Sequence, residues 1–110
     1  MTVKYSKAFE KAVRSLSGKV LASVVSVIRE VKGAGSIYEI SNCKKLQGYR
    51  NVYRIRIGNL RAFFVFHVEI VDDCVFFKYL VPRGQAYDKL MGRKLRKEDG
   101  AFVEKVNVDP

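Results

Sequence analysis

The stretch Val52-Tyr53-Arg54-Ile55-Arg56-Ile57-Gly58-Asn59-Leu60-Arg61-Ala62-Phe63-Phe64-Val65-Phe66 decides the fold. Polar and apolar residues alternate from Val52 to Ile57, which is the period of a half-buried strand. Gly58-Asn59 then suits a two-residue hairpin loop, because such loops need positive φ, which glycine adopts without steric cost. That loop sets a register in which Ile57 faces Leu60, Arg56 faces Arg61, Ile55 faces Ala62 and Arg54 faces Phe63. Successive side chains on a strand point to opposite faces. Val52, Arg54, Arg56, Arg61 and Phe63 therefore share one face. Tyr53, Ile55, Ile57, Leu60, Ala62, Phe64 and Phe66 share the other, which is expected to lie under helices. A three-residue loop would break this parity; a four-residue loop would keep it.

Upstream of the hairpin, Thr2-Val3-Lys4-Tyr5 reads as a short strand. Ser6 is placed to cap a helix, and Phe9, Val13 and Leu16 follow at helical spacing until Ser17-Gly18. A second helix is expected from about Lys19 to Lys32, with Val20, Val24, Val27, Ile28 and Val31 along one stripe. Its valines favour strand weakly, but spacing and length favour helix. Gly33-Ala34-Gly35 ends it. Two helices with so short a break are expected to form an antiparallel hairpin.

Beyond Ile37 the period becomes two. Asn42 to Leu46 is expected as a short strand or turn, Leu60 to Glu69 as a strand, Asp72-Asp73 as a turn and Cys74 to Val81 as a strand stopped by Pro82. One short helix is expected between Arg83 and Leu95, beginning near Gln85. The order predicts an α+β domain over residues 1–95: an N-terminal strand and a two-helix hairpin packed on one face of an antiparallel β-meander. Residues 96–110 read as a tail, with a strand at Ala101 to Val106.

The chain has 110 residues, one domain's worth, and 48% of them are hydrophobic, which excludes a disordered chain. No apolar run reaches the ~20 residues of a membrane span. Met1 to Lys11 has no apolar segment of the kind a secretory signal needs. With two cysteines only, Cys43 and Cys74, the chain reads as a reduced cytosolic protein; a Cys43–Cys74 bridge is the alternative, which that compartment argues against. Two Cys and one His also fall short of a structural zinc site, so no metal and no cofactor are expected.

The formal charge is +10, which implies an anionic partner. Its placement is more informative than its size. No acidic residue occurs between Glu39 and Glu69, an interval that holds Lys44, Lys45, Arg50, Arg54, Arg56 and Arg61. Like charges opposed across a sheet destabilise it. A face that carries three arginines with no local carboxylate suits a phosphate, which the guanidinium fork binds well. Phe63 beside Arg54 offers a stacking surface of the kind used on unpaired bases. The competing explanation is a helix over that face, or arginines paired with Asp or Glu elsewhere in the chain.

Three strings together resemble the RelE/ParE superfamily of toxins. They are Lys45-Leu46-Gln47-Gly48, Tyr53-Arg54-Ile55-Arg56-Ile57-Gly58-Asn59-Leu60-Arg61 and Arg83-Gly84-Gln85-Ala86-Tyr87. The family pattern is a K-L-x-G turn, a Y-R-[IV]-R-x-G-[DN]-Y-R hairpin and a late R-x-x-x-Y, in that order, and the likeness spans about residues 3 to 95. The resemblance implies a toxin of a toxin–antitoxin pair that enters the ribosomal A site and cuts mRNA, the ribose 2′-hydroxyl attacking the adjacent phosphate. It implies that Arg54, Arg56 and Arg61 hold the scissile phosphate, that Arg83 adds charge near the leaving oxygen, and that Tyr87 stacks on a base or moves a proton. Lys44, Lys45 and Arg50 would contact RNA backbone, and the Arg93-Lys94-Arg96-Lys97 run would join them or be disordered.

The sequence departs from the family where some members carry lysine: it has Arg54 and Arg56. Arginine does not lose its proton in proteins, so neither can be a general base. Tyr87 and His67 are the candidates, although His67 falls some distance along its strand and a lone histidine there is more often structural. Tyr87 could instead anchor the last helix to the core. Two other readings share the fold: a ParE-like inhibitor of DNA gyrase, and an inactive member that binds only antitoxin or RNA. The arginine face and Tyr87 favour the endoribonuclease. The expected partners are an acidic antitoxin, the ribosome and mRNA, with no membrane.

Overall fold

A computed structural model describes residues 1–68 and 73–106. The elements run β1 (Thr2–Tyr5), α1 (Lys7–Arg14), α2 (Gly18–Gly33), β2 (Cys43–Lys45), β3 (Val52–Ile57), β4 (Leu60–His67), β5 (Cys74–Pro82) and α3 (Lys89–Val106). Short 3₁₀ turns occupy Ile37–Glu39 and Arg83–Gln85. Glu69 and Asp72, expected at a strand end and in a turn, lie outside the described residues, as does the end of the tail, 107–110. No described helix is long and apolar enough to cross a membrane.

Ser6 starts α1 as its sequence suggests. Its Oγ accepts from Phe9 N–H at 3.0 Å and donates to the Lys78 carbonyl at 2.6 Å, so the cap also fastens the helix to β5. The α1–α2 hairpin lies on the sheet face made by Ile55, Ile57, Ala62, Phe64, Val75, Phe77 and Leu80. Phe9 descends from α1 onto Phe77, ring centroids 4.8 Å apart, and Phe77 meets the edge of Phe64 at 5.7 Å. Each buried phenylalanine contributes roughly 2–3 kcal/mol of burial free energy.

The hairpin register is the one that the two-residue loop dictates: Arg54↔Phe63, Ile55↔Ala62, Arg56↔Arg61 and Ile57↔Leu60. Gly58 has φ +56°, and Asn59 is not in the positive region, which makes the turn type II′. The strand order is β1-β5-β4-β3-β2, with β2 to β5 antiparallel. The meander is thus present, but β1 joins its β5 edge in parallel, so the five-stranded sheet is mixed. Period-two alternation carries no information on strand direction, which the α1–α2 crossover sets.

Two expectations are corrected. The helix after Pro82 is not short: it starts at Lys89 and continues through 101–106, where a strand was expected. Asp88 begins it, its Oδ1 accepting from Met91 N–H at 2.8 Å. Helices also do not keep to one face. Met91 and Leu95 of α3 cover Val52, Phe63 and Val65 on the arginine side, building a second core. As expected, no disulfide joins Cys43 and Cys74: they sit on β2 and β5, at least three strand spacings or roughly 14 Å apart, beyond the reach of such a bond.

Candidate active site

α3 divides the arginine side of the sheet in two. At one end, Val52, Phe63 and Val65 are sealed beneath it. At the other, next to the Gly58-Asn59 turn, Arg54, Arg56 and Arg61 come together on β3 and β4. Among the described residues no carboxylate lies within salt-bridge distance of any of the three. Two α3 carboxylates are engaged elsewhere: Glu98 pairs with Lys78 at 3.1 Å, and Asp99 accepts from the backbone N–H groups of Arg50 and Asn51, both at 3.0 Å.

The three arginines have different surroundings. Arg56 is exposed. Arg54 is half-buried, and its Nη1 donates to the Tyr87 hydroxyl at 3.4 Å. Arg61 is 7% exposed, and its Nη1 donates to the carbonyls of Gly58 and Leu60 at 2.8 and 2.9 Å. It is therefore bound into the turn as well as facing the site. The Nε atoms of Arg54 and Arg61 are buried and lack a hydrogen-bond partner among the described residues. A buried charged donor left unpaired costs on the order of 1–3 kcal/mol. Orphan donors of this kind are rare in folded proteins and call for a specific explanation.

Pro82 ends β5, and the backbone N–H of Arg83 then bonds the Asn59 carbonyl at 2.7 Å. This link sets the Arg83–Gln85 turn against the hairpin loop and leaves the Arg83 side chain exposed beside the cluster. Tyr87 follows, 62% exposed, with its ring meeting Phe63 edge-on at 6.4 Å. It is thus not buried as an anchor for the last helix. Phe63 is 0% exposed, so it cannot stack on a base. It braces Tyr87 instead, and the open aromatic surface at the site belongs to Tyr87. The sequence could not show this because the lid over Phe63 comes from α3.

The remaining expected residues are more dispersed. Lys44 pairs with Arg54 across β2 and β3 and so faces the site side; Lys45 pairs with Tyr53 and faces the other. Both are exposed, as is Arg50. His67 is six residues from Arg61 along β4, roughly 20 Å, with its ring against Phe76. That separation takes it out of the cluster. Cys43, behind Arg54, is no nucleophile at neutral pH: burial pushes its thiol up to about 11, with Arg54 pulling weakly the other way.

Tyr49 was not singled out from the sequence. Its hydroxyl donates to the Gly92 carbonyl at 3.4 Å, and Arg96 sits over its ring at 5.9 Å. The signal that could have found this contact is the apolar i, i+4 pair Met91 and Leu95, which sets Arg93 and Arg96 off the buried stripe.

No family model matches the sequence. The chain is 30% identical over 89 residues to Toxin RelE3 of Methanocaldococcus jannaschii, a match that covers 80% of this chain and 97% of the relative. It superposes on a chain of the RelB–RelE antitoxin–toxin complex from Methanococcus jannaschii with a TM-score of 0.62 and 27% identity, covering 77% of this chain and 95% of that one. A chain of the archaeal RelE–RelB complex from Pyrococcus horikoshii gives 0.60 and 26%, covering 77% and 97%. Those matches, the α+β fold and the arginine-bearing hairpin agree: the chain belongs to the RelE family of type II toxins.

Proposed function

We propose that this protein is the toxin of a toxin–antitoxin module and an endoribonuclease that cuts mRNA in the ribosomal A site, which places its action in the cytoplasm. The observation that carries the reading is the pair of buried Nε donors of Arg54 and Arg61, unpartnered and beyond salt-bridge distance of any carboxylate among the described residues, with Tyr87 bonded to Arg54. Preorganised cationic donors suit a phosphate that gains negative charge. The ribose 2′-oxygen attacks the adjacent phosphorus, the bond to the 5′-oxygen breaks, and a cyclic phosphate remains. Arg54, Arg56 and Arg61 hold the phosphoryl oxygens, and stabilising the developing charge contributes about 3 kcal/mol per donor. Arg83 faces the departing 5′-oxygen. Tyr87 stacks on the neighbouring base, and its hydroxyl, bonded to Arg54, carries the proton transfer that arginine cannot.

The partner is an acidic antitoxin segment that covers the arginine face, and its complex represses its own operon through the antitoxin's DNA-binding part. Arg54→Ala tests the reading: growth arrest and mRNA cleavage on ribosomes should fall at least 100-fold with little change in melting temperature. Tyr87→Phe separates stacking from proton transfer, because it keeps the ring and removes the hydroxyl. Normal translation with inhibited DNA supercoiling after induction would replace the ribonuclease by a gyrase-directed toxin. Binding to ribosomes that is insensitive to salt would remove the electrostatic part.

A further inference from the structure

A groove of about 610 Å³ begins at Tyr87 and is lined by none of Arg54, Arg56, Arg61 or Arg83. One wall is the loop between β2 and β3, with Leu46, Gln47 and Tyr49; the other is the first half of α3, with Gly92, Arg93 and Arg96. Leu46 and Leu95 make its interior apolar, while Lys89, Arg93 and Arg96 are exposed at its rim. The one carboxylate in the lining, Asp88, is occupied in capping α3 through Met91 N–H. Tyr49 is held at both ends, its hydroxyl on the Gly92 carbonyl and its ring beneath the Arg96 guanidinium. An aromatic ring with a guanidinium over it, and cations along the rim, form the combination that accepts unpaired bases and tracks a phosphate backbone.

We infer that this groove holds the single-stranded RNA that flanks the cut, with one base against Tyr49 and Arg96 and the adjoining phosphates on Lys89 and Arg93. The inference rests on the proposed ribonuclease reading, because Tyr87 lines the groove and also touches Arg54. It adds that the substrate must extend beyond the scissile dinucleotide.

The test uses fluorescent RNA, a trinucleotide and a nonamer, each with a 2′-deoxy sugar at the cut so that no cleavage occurs. Affinity is read by anisotropy between 50 and 200 mM salt. Wild type should bind the nonamer about tenfold more tightly than the trinucleotide. The double variant K89A/R93A should lose that advantage, leave the trinucleotide within about twofold, and flatten the nonamer's salt slope by roughly 1.4. Tyr49→Leu should weaken nonamer binding about fivefold, whereas Tyr49→Phe, which keeps the ring, should not. If Tyr49→Leu fails to fold, the double variant still decides, since both of its residues are exposed. Unchanged nonamer affinity in K89A/R93A overturns the inference; if Arg54→Ala then weakens both RNAs, the ribonuclease reading survives. Equal loss for both RNAs in the groove variants also overturns it. Failure of the wild type to bind either RNA overturns the inference, while the ribonuclease reading is decided separately by mRNA cleavage on ribosomes with Arg54→Ala.

Discussion

Arg61→Ala should destabilise the protein as well as disarm it. Arg61 Nη1 donates to the Gly58 and Leu60 carbonyls at 2.8 and 2.9 Å, in a residue only 7% exposed. Hydrogen bonds from a charged donor contribute about 1.5 kcal/mol each at the lower end of their range, so removal loses about 3 kcal/mol. Two gains oppose that loss. The like-charge opposition of Arg56 and Arg61 disappears, worth about 0.5 kcal/mol, and the buried orphan Nε disappears, worth about 1 kcal/mol. The net cost is about 1.5 kcal/mol, or roughly 8 °C in melting temperature for a domain of this size. Arg61→Lys keeps the charge but offers a point donor for two divergent carbonyls, so it should recover only part of the stability. Arg56→Ala, at an exposed position, should melt within about 1 °C of wild type. Thermal unfolding by circular dichroism decides the matter. An Arg61→Ala protein that melts within about 2 °C of wild type would refute the claim that the turn carbonyls hold this arginine.

Asp99→Ala should free the second half of α3, since it removes the acceptor from the Arg50 and Asn51 amides and leaves the latter half-buried without a partner. We expect a loss of about 2 kcal/mol, with faster hydrogen exchange confined to α3 and the loop between β2 and β3. Phe9→Ala should cost about 3–5 kcal/mol by denaturant unfolding, because its buried ring stacks on Phe77 and truncation leaves a cavity between α1 and the sheet. Stability should fall above pH 9. Burial raises Cys43 from its ordinary value of 9.0 to about 11, and raises Tyr53 and Tyr79 above 10.0, Glu98 adding to the shift of Tyr79. The native state then holds more protons than the unfolded chain, so stability is complete below the unfolded values and is lost as pH rises through the folded ones. Urea midpoints between pH 8 and 11 test the sign, and a midpoint that rises over that window would contradict it. By the same burial, Cys43 should be alkylated at pH 8 about 100-fold more slowly than a free thiol, and unfolding should restore the rate.

Local chemistry alone wrote the first half of the molecule: the Ser6 cap, the α1–α2 hairpin, the Gly58-Asn59 turn and, through that turn, the facing of Arg54, Arg56 and Arg61. Each of these depends on residues a few positions apart, where spacing and φ preference settle the outcome. The length of α3 was concealed because Gly92 and Gly100 interrupt it and, among its described side chains, only Met91 and Leu95 are buried. Helical order there comes from packing on Phe63 and Val65 and from the Asp99 clamp, contacts that span more than 25 positions of chain.

That long-range packing also apportioned the roles on the basic face. Nothing in the alternation of β4 distinguishes Phe63 from an open stacking surface, or Arg61 from a free guanidinium. Only the arrival of α3 buries the one, and only the fold of the turn binds the other. Direction within the sheet was likewise settled in three dimensions, where the two-helix crossover lays β1 alongside β5 in parallel. A strand's sequence sets which side chains share a face, because the backbone alternates; what covers that face depends on segments that meet it only after folding.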